Sequence, residues 1–497
     1  MIDIKSKNSI YLLIFVLLYA VLNLTTLYHG HNWGDDFSYY LAISRNIANG
    51  QPLLSGIILN QLHVPPPGFS IILLPFVYIF GLNFAVLKII NVIFWALSII
   101  TIYPIFKKEF GEDIAGLCTI LLLASNYFFT FKQQILSDVP YVFFIALAIR
   151  FFLEICESEK NNDPAASEKY FKKFLLIAAI AFFIKTAALF LFASAILYFV
   201  FVYKNWGRAF RVFAVLIAGL ALQSLIIGIH SGKFQYFFAS PVEHIITIYN
   251  NSFLVLSSIL YFYCPAVTRI NAALFKSLVQ LIILIYPFVY VLLGVYLISG
   301  LLKRKISFIA CFTIINILAL TIITAFPVSP KTFARHIMAI APWVLLLSIK
   351  IVLYLMKAYC SKFSRTLNVD IIAKVGIAIF IILNIYANHA TYYFNDDAIL
   401  NKKNSELFSW VKENISTSEH YFFYKPRAMA LLTNRLGYDI TWIKDPAEFH
   451  SIMKNYAINY IILRKSREEY IYGFQRRYPN ASLKWENDVY MIFYIDL

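Results

Sequence analysis

The chain has 497 residues, of which 60% are hydrophobic, 18% aromatic and only 14% charged, against about 25% charged in an ordinary soluble domain. That balance excludes a soluble globular protein, because the solvent for most of the chain must be lipid. The formal charge of +16 does not point to nucleic acid, since Lys and Arg gather in short connections between apolar runs, where the positive-inside rule places them.

Apolar runs of about the thickness of a bilayer, roughly 20 residues, cover residues 10–28, 84–106, 114–131 and 139–153, a pair within 174–203, and 210–229, 278–298, 306–326, 337–356 and 371–386. The first run follows Lys5 and Lys7 and has no small-residue cleavage site after it, so it reads as a retained span entering from the cytoplasm. The total is about eleven spans. With that parity Lys107 and Lys108, Lys172 and Lys173, Lys204 with Arg208 and Arg211, Lys303 to Lys305, and Lys357 with Lys362 and Arg365 all fall on the cytoplasmic side. The stretch 174–203 is basic at both flanks, which favours a hairpin turning near Lys185. Two shorter runs, 69–80 and 253–264, have the length of juxtamembrane helices and are expected on the outer surface. The five cysteines (Cys118, Cys156, Cys264, Cys311 and Cys360) lack metal or disulfide spacing and read as packing residues.

After residue 386 the pattern changes to a helix near 405–412 and strands at 421–424, 438–443, 460–463 and 489–495. Helical stretches lie between them around 446–456 and 467–474. Strands alternating with helices predict a small α/β domain. The expected fold is a multi-pass α-helical membrane protein. Its transmembrane unit covers residues 1–388, with a first outer loop at 29–83, and an extracytoplasmic α/β domain covers 389–497.

The densest polar cluster of the membrane half follows the first span, from His29 to Tyr40, and holds two adjacent carboxylates, Asp35 and Asp36. Ionisable groups at a lipid boundary are functional suspects. The bland alternative is that Asp36 caps a helix over 37–49 closed by Gly50. Further along come Tyr39 and Tyr40, then Ser44-Arg45-Asn46-Ile47-Ala48 with Gly50, then Pro66-Pro67-Gly68-Phe69, and a basic turn before Phe110-Gly111. Ser137-Asp138, Lys185 and Ala334-Arg335-His336-Ile337 leading to Pro342 complete the series. In this order they resemble the GT-C superfamily of membrane glycosyltransferases, which includes bacterial lipid A aminoarabinose transferases and protein O-mannosyltransferases. Trp410 to Asn414 and the strand at 460–463 resemble the outer domains that some bacterial members carry.

The resemblance implies transfer of a hexosyl or pentosyl group, with inversion, from a polyprenyl-phosphate donor to a lipid, glycan or protein acceptor of the envelope. The site of transfer would be the outer face of the cytoplasmic membrane. Such a reaction needs a base for the acceptor hydroxyl. The motif alignment puts it at Asp36, with Asp35 in reserve and Asp138 as a second acid, although Phe37 stands where family members often carry Glu. The leaving phosphate needs fixed cations or donors, assigned to Arg335, His336 and Lys185, with Tyr39, Tyr40, Arg45, His63 and Glu243 lining the substrate path. Each assignment has a plain counterpart: headgroup anchoring for Arg335, snorkelling for Lys185 and helix capping for Asp138. His29, His31 and His63 have the chemistry of a metal site, but no metal site is assigned; no cofactor is expected to be obligatory and a divalent metal stays open. The expected partners are the lipid-linked donor, the acceptor and membrane lipids, with no nucleic acid. A polytopic transporter or lipid flippase is the alternative. Against it, the polar groups gather on one side and no inverted repeat is evident.

Overall fold

The computed structural model describes residues 7–31, 33, 36–59, 64–227, 289–323, 335–362, 368–391, 399–440, 446–466, 474, 476 and 478–496. Asp35, His63, Glu243, the run 253–264 and residues 467–473 lie outside the described residues.

The membrane half is built from helices α1 (Lys7–Leu24), α2 (Asp36–Ala48), α3 (Gly68–Phe80), α4 (Phe84–Phe110), α5 (Glu112–Leu123), α6 (Asn126–Phe131) and α7 (Asp138–Lys160). It continues with α8 (Pro164–Ile184), α9 (Leu189–Leu197), α10 (Trp206–Ile227), α11 (Val289–Leu302), α12 (Phe308–Ile323), α13 (Ala341–Lys362) and α14 (Val369–Thr391). Among the described residues five helices are long and apolar enough to cross a membrane: Phe84–Phe110, Asp138–Lys160, Trp206–Ile226, Ala341–Tyr359 and Val369–Tyr386. Shorter apolar helices, Ile10–Leu24 and Phe308–Thr321 among them, accompany these.

Sequence periodicity misses two local features. The run 114–131 is not one helix: α5 stops at Leu123, Ser125 turns extended (φ −58°, ψ 127°), and α6 starts afresh. The break lets Phe128 of α6 stack on Trp95 of α4, with ring centroids 4.9 Å apart. The expected turn near Lys185 is present. There α8 gives way to an extended residue (φ −153°, ψ 125°), a 3-10 turn follows at Thr186–Ala188, and α9 runs back along α8. Phe182 meets Phe192 next to the turn and Phe171 meets Phe199 far from it, as a hairpin requires.

The two ends of the bundle differ in chemistry. At one end the basic turns are ion-paired to neighbouring helices through Lys108–Glu157, Arg208–Glu159, Arg211–Glu168 and Lys374–Asp113. At the other end lie α2, α3 and the C-terminal segment.

That segment holds α15 (Lys402–Asn414), β1 (His420–Phe423), α16 (Pro426–Thr433), β2 (Gly437–Asp439), α17 (Pro446–Asn455), β3 (Ile458–Arg464), β4 (Ser482–Glu486) and β5 (Tyr490–Tyr494). The sheet order is β2-β1-β3-β5-β4, parallel across the first three strands and antiparallel beyond. Strand β4 was not expected. It is a largely exposed edge strand, without the apolar alternation that marks a half-buried one. The short helix α16 was also unforeseen.

The sheet domain packs on the first outer loop. Trp33 sits among Phe408, Phe423 and Tyr424 at 5.6–6.0 Å between ring centroids. The Ile399 N–H donates to the His31 carbonyl (2.5 Å), and the Leu59 N–H donates to the Gly437 carbonyl (3.2 Å). One apolar core runs without interruption from α2 to β1.

Candidate active site

Four charged side chains from four separate parts of the chain meet at the end of the bundle that faces the sheet domain. Asp36 opens α2, Asp138 opens α7, Lys185 occupies the break after α8, and Arg335 lies in a helical turn over 335–337 just before α13. Arg335 bridges the two acids: Nη1 donates to Asp36 Oδ2 at 2.6 Å, while Nε and Nη2 each lie 3.1 Å from Asp138 Oδ2. The other oxygen of Asp138, Oδ1, accepts from the Lys185 ammonium. The ion pairs run Lys185–Asp138–Arg335–Asp36, with side-chain exposures of 13%, 0%, 22% and 43% in that order. Asp36 is therefore the member that meets an incoming molecule first, and Asp138 is the buried anchor.

These contacts replace the capping roles. The N-cap position of α7 is Ser137, and no side chain caps it. Asp138 spends both oxygens on cations, and Asp36 turns to Arg335. Loss of hydration by itself would raise the Asp36 carboxyl. The Arg335 guanidinium, helped by Arg427, outweighs that effect and holds it below the ordinary 3.8. Burial, and then the Lys185 ammonium, push the His336 imidazole down to about 3. His336 is thus neutral at neutral pH and can offer a hydrogen bond but not a charge. Its Nδ1 is buried with no hydrogen-bond partner among the described residues.

The surrounding motif residues position this cluster. Tyr40, expected to touch substrate, is buried, and its hydroxyl pairs with Ser137 Oγ at 2.9 Å, tying α2 to the start of α7. Tyr39 is buried too, under the Arg427 guanidinium 4.7 Å from its ring. Arg45, also expected on the substrate path, instead reaches the Leu431 carbonyl of α16 (3.4 Å). It lies nine residues from Asp36, about 13 Å along the helix. Asn46 donates to the carbonyls of Leu53 and Ser55, and Gly50 takes φ +64°, so this part of the motif shapes the loop that leaves α2. In the proline-glycine motif, a Cβ at Gly68 would fall 2.5 Å from the Phe183 carbonyl oxygen. Only glycine lets α3 abut the backbone that ends in Lys185.

Two lysines passed over in the sequence complete the framework. Lys88 of α4 is buried and donates to the carbonyls of Tyr28 (2.9 Å) and Gly30. Lys132, also buried, donates to Asn23 Oδ1 (2.8 Å) and Thr26 Oγ1 (2.7 Å). Gln133 adds bonds with Tyr28 and Thr26. The segment leading to Asp36 is thereby laced to the segment leading to Asp138. A lone lysine inside the apolar run 84–106 was the available signal for Lys88. Arg427 gave none, because it lies in a domain that reads as ordinary water-soluble sequence.

His31 is no free metal ligand, since its Nε2 accepts the Ile135 N–H at 2.9 Å. Among the described residues no three His, Cys, Asp or Glu side chains converge as a ligand set. Cys118 and Cys311 are buried and unpaired, as packing residues are.

The family profile described as dolichyl-phosphate-mannose-protein mannosyltransferase matches residues 64–228, which include Asp138 and Lys185. The whole chain superposes on an ArnT from Cupriavidus metallidurans in the apo state, with a TM-score of 0.56 at 12% identity over 98% of both chains. The same protein bound to undecaprenyl phosphate gives 0.53 at 12% identity over 97% of both. The fold is that of the GT-C superfamily. A third GT-C likeness is an oligosaccharyltransferase from Archaeoglobus fulgidus in complex with Zn and sulfate, with a TM-score of 0.58 and 14% identity over 93% of this chain and 69% of that one. No curated protein matches the chain.

Proposed function

We propose that this protein is an inverting glycosyltransferase that moves a sugar from a polyprenyl phosphate to a hydroxyl of an envelope lipid, glycan or protein at the outer face of the cytoplasmic membrane. The observation that carries the proposal is the ion-pair chain in which a half-exposed carboxylate and a buried one share a guanidinium. As the acceptor oxygen bonds to the anomeric carbon, its proton passes to the Asp36 carboxylate. The bond between that carbon and the phosphate oxygen breaks, and its electron pair leaves with the phosphate. The negative charge then growing there is met by Arg335, with Lys185 behind it.

Three supports stand beside this geometry. The fold is shared with an ArnT that binds undecaprenyl phosphate. The family profile over residues 64–228 belongs to enzymes that use a dolichyl-phosphate sugar. The charged cluster lies where α7 and α13 begin and α8 ends, not half-way along the helices as in a transporter. Because the chain supplies its own cations at the leaving group, the mechanism has no obligatory metal. In this reading the chain has about eleven spans and the sheet domain lies outside, so the cluster belongs to the outer side.

The test is sugar transfer from a labelled polyprenyl-phosphate sugar by purified Asp36→Asn protein. A loss of about 10³-fold or more is expected, with yield and elution volume unchanged. Transfer at the wild-type rate would refute the assignment.

A further inference from the structure

Arg335 has five N–H donors lying in one plane, and a phosphate is gripped by two adjacent ones. The edge formed by Nε and Nη2 is given to Asp138, whose carboxylate is fully buried and held from its other side by Lys185. The remaining edge, Nη1 with Nη2, is the one a phosphate can take, and its Nη1 is committed to Asp36 at 2.6 Å. The two acids therefore compete unequally with an incoming anion. Asp138 is locked in place, whereas Asp36 is 43% exposed and can rotate into water.

Resting on the transferase reading above, we propose that the carrier phosphate displaces Asp36 from Arg335, so that docking of the donor is the event that frees the catalytic base. The consequence is an ordered cycle. Before docking, the carboxylate is paired with a guanidinium and accepts a proton poorly. After docking it has lost that partner and stands near a phosphate, and both changes make it a stronger base. Proton abstraction from an acceptor is thereby coupled to the presence of something to transfer. The other charged or titratable groups acting on Asp36 are Arg427 of α16, Asp138 of α7, Tyr40 of its own helix, Lys185 after α8 and His336 beside Arg335.

The test uses full-length protein in detergent and undecaprenyl phosphate as the probe, with affinity measured by calorimetry. Asp36→Asn removes the competing charge at nearly constant shape, so this variant is expected to bind the probe about tenfold more tightly than wild type. Equal or weaker binding overturns the exchange. In an Arg335→Lys background the gain from Asp36→Asn should vanish, because lysine has no second edge to offer; a gain that persists overturns it. If Asp36→Asn does not fold, wild-type kinetics decide. The acid limb of kcat, which reports the loaded enzyme, should lie at higher pH than that of kcat/KM, which reports the free enzyme; coincident limbs overturn the exchange. Tighter binding by Asp36→Asn, together with no sugar transfer by the wild-type protein from any donor, would sink the transferase reading while leaving the exchange intact.

Discussion

Asp36 and Asp138 bond to the same guanidinium, yet neutralising each should have a different effect. Asp138 is fully buried between two cations. Removing one partner of a buried ion pair leaves the others uncompensated, at a cost of about 3–5 kcal/mol. Asp138→Asn is therefore expected to lower the melting temperature sharply, whereas Asp36→Asn, at the exposed end, should leave it within a few degrees; differential scanning fluorimetry reads both. The Asp36 pair also sets a pH expectation. Its carboxyl is held below 3.8 in the folded chain, so its stabilisation is complete above the unfolded pKa and is lost only as pH falls through the lower folded value. Melting curves between about pH 5 and 8 should therefore show no pH dependence arising from this group. Asp36 and Lys185 stood out in the sequence because a charge at or within an apolar run is costly and needs a partner, and Asp138 and Arg335 stood out through the motif resemblance. Which charge faces which was not visible, since 299 residues separate Asp36 from Arg335.

Among the elements, α3 has the most specific requirement. Its first residue, Gly68, touches the backbone of Phe183 and Ile184, immediately before Lys185. Gly68→Ala should push the end of α8 away and cost about 2 kcal/mol or more. It should also impair transfer more than a cavity-forming change of equal destabilisation elsewhere in α3, such as Leu73→Ala. Equal losses of activity for the two variants would show that Gly68 serves packing alone. Helix boundaries near prolines, glycines and basic turns were legible in advance, because those residues act through local backbone geometry. The α5–α6 break and strand β4 were not. The break accommodates a ring stacked across α4, and β4 is held by its pairing with β5, and both partners lie outside the local window.

The whole molecule ties the sheet domain to the active loop. Trp33 packs among rings of α15 and β1, Arg427 covers Tyr39, and Arg45 reaches α16. A domain that only selected acceptors could be removed with the loop left in place. This packing predicts instead that deleting residues 401–497 uncovers apolar surface around Trp33 and α2. Faster proteolysis between 29 and 59, with loss of transfer to every acceptor, is expected. A truncated protein that kept its activity and changed only its acceptor preference would contradict that view.

By itself the sequence determined that the chain lives in lipid, where its helices and strands broadly run, and which charged residues near the apolar runs need a partner. Composition, run length and the cost of burying charge are properties each segment has alone. Only the tertiary structure decided that two acids share one arginine, that tyrosines expected to meet substrate are buried supports, and that a sheet-domain arginine reaches α2. These are distances between residues far apart in the chain, and they are set by how the helices pack rather than by anything a single segment encodes.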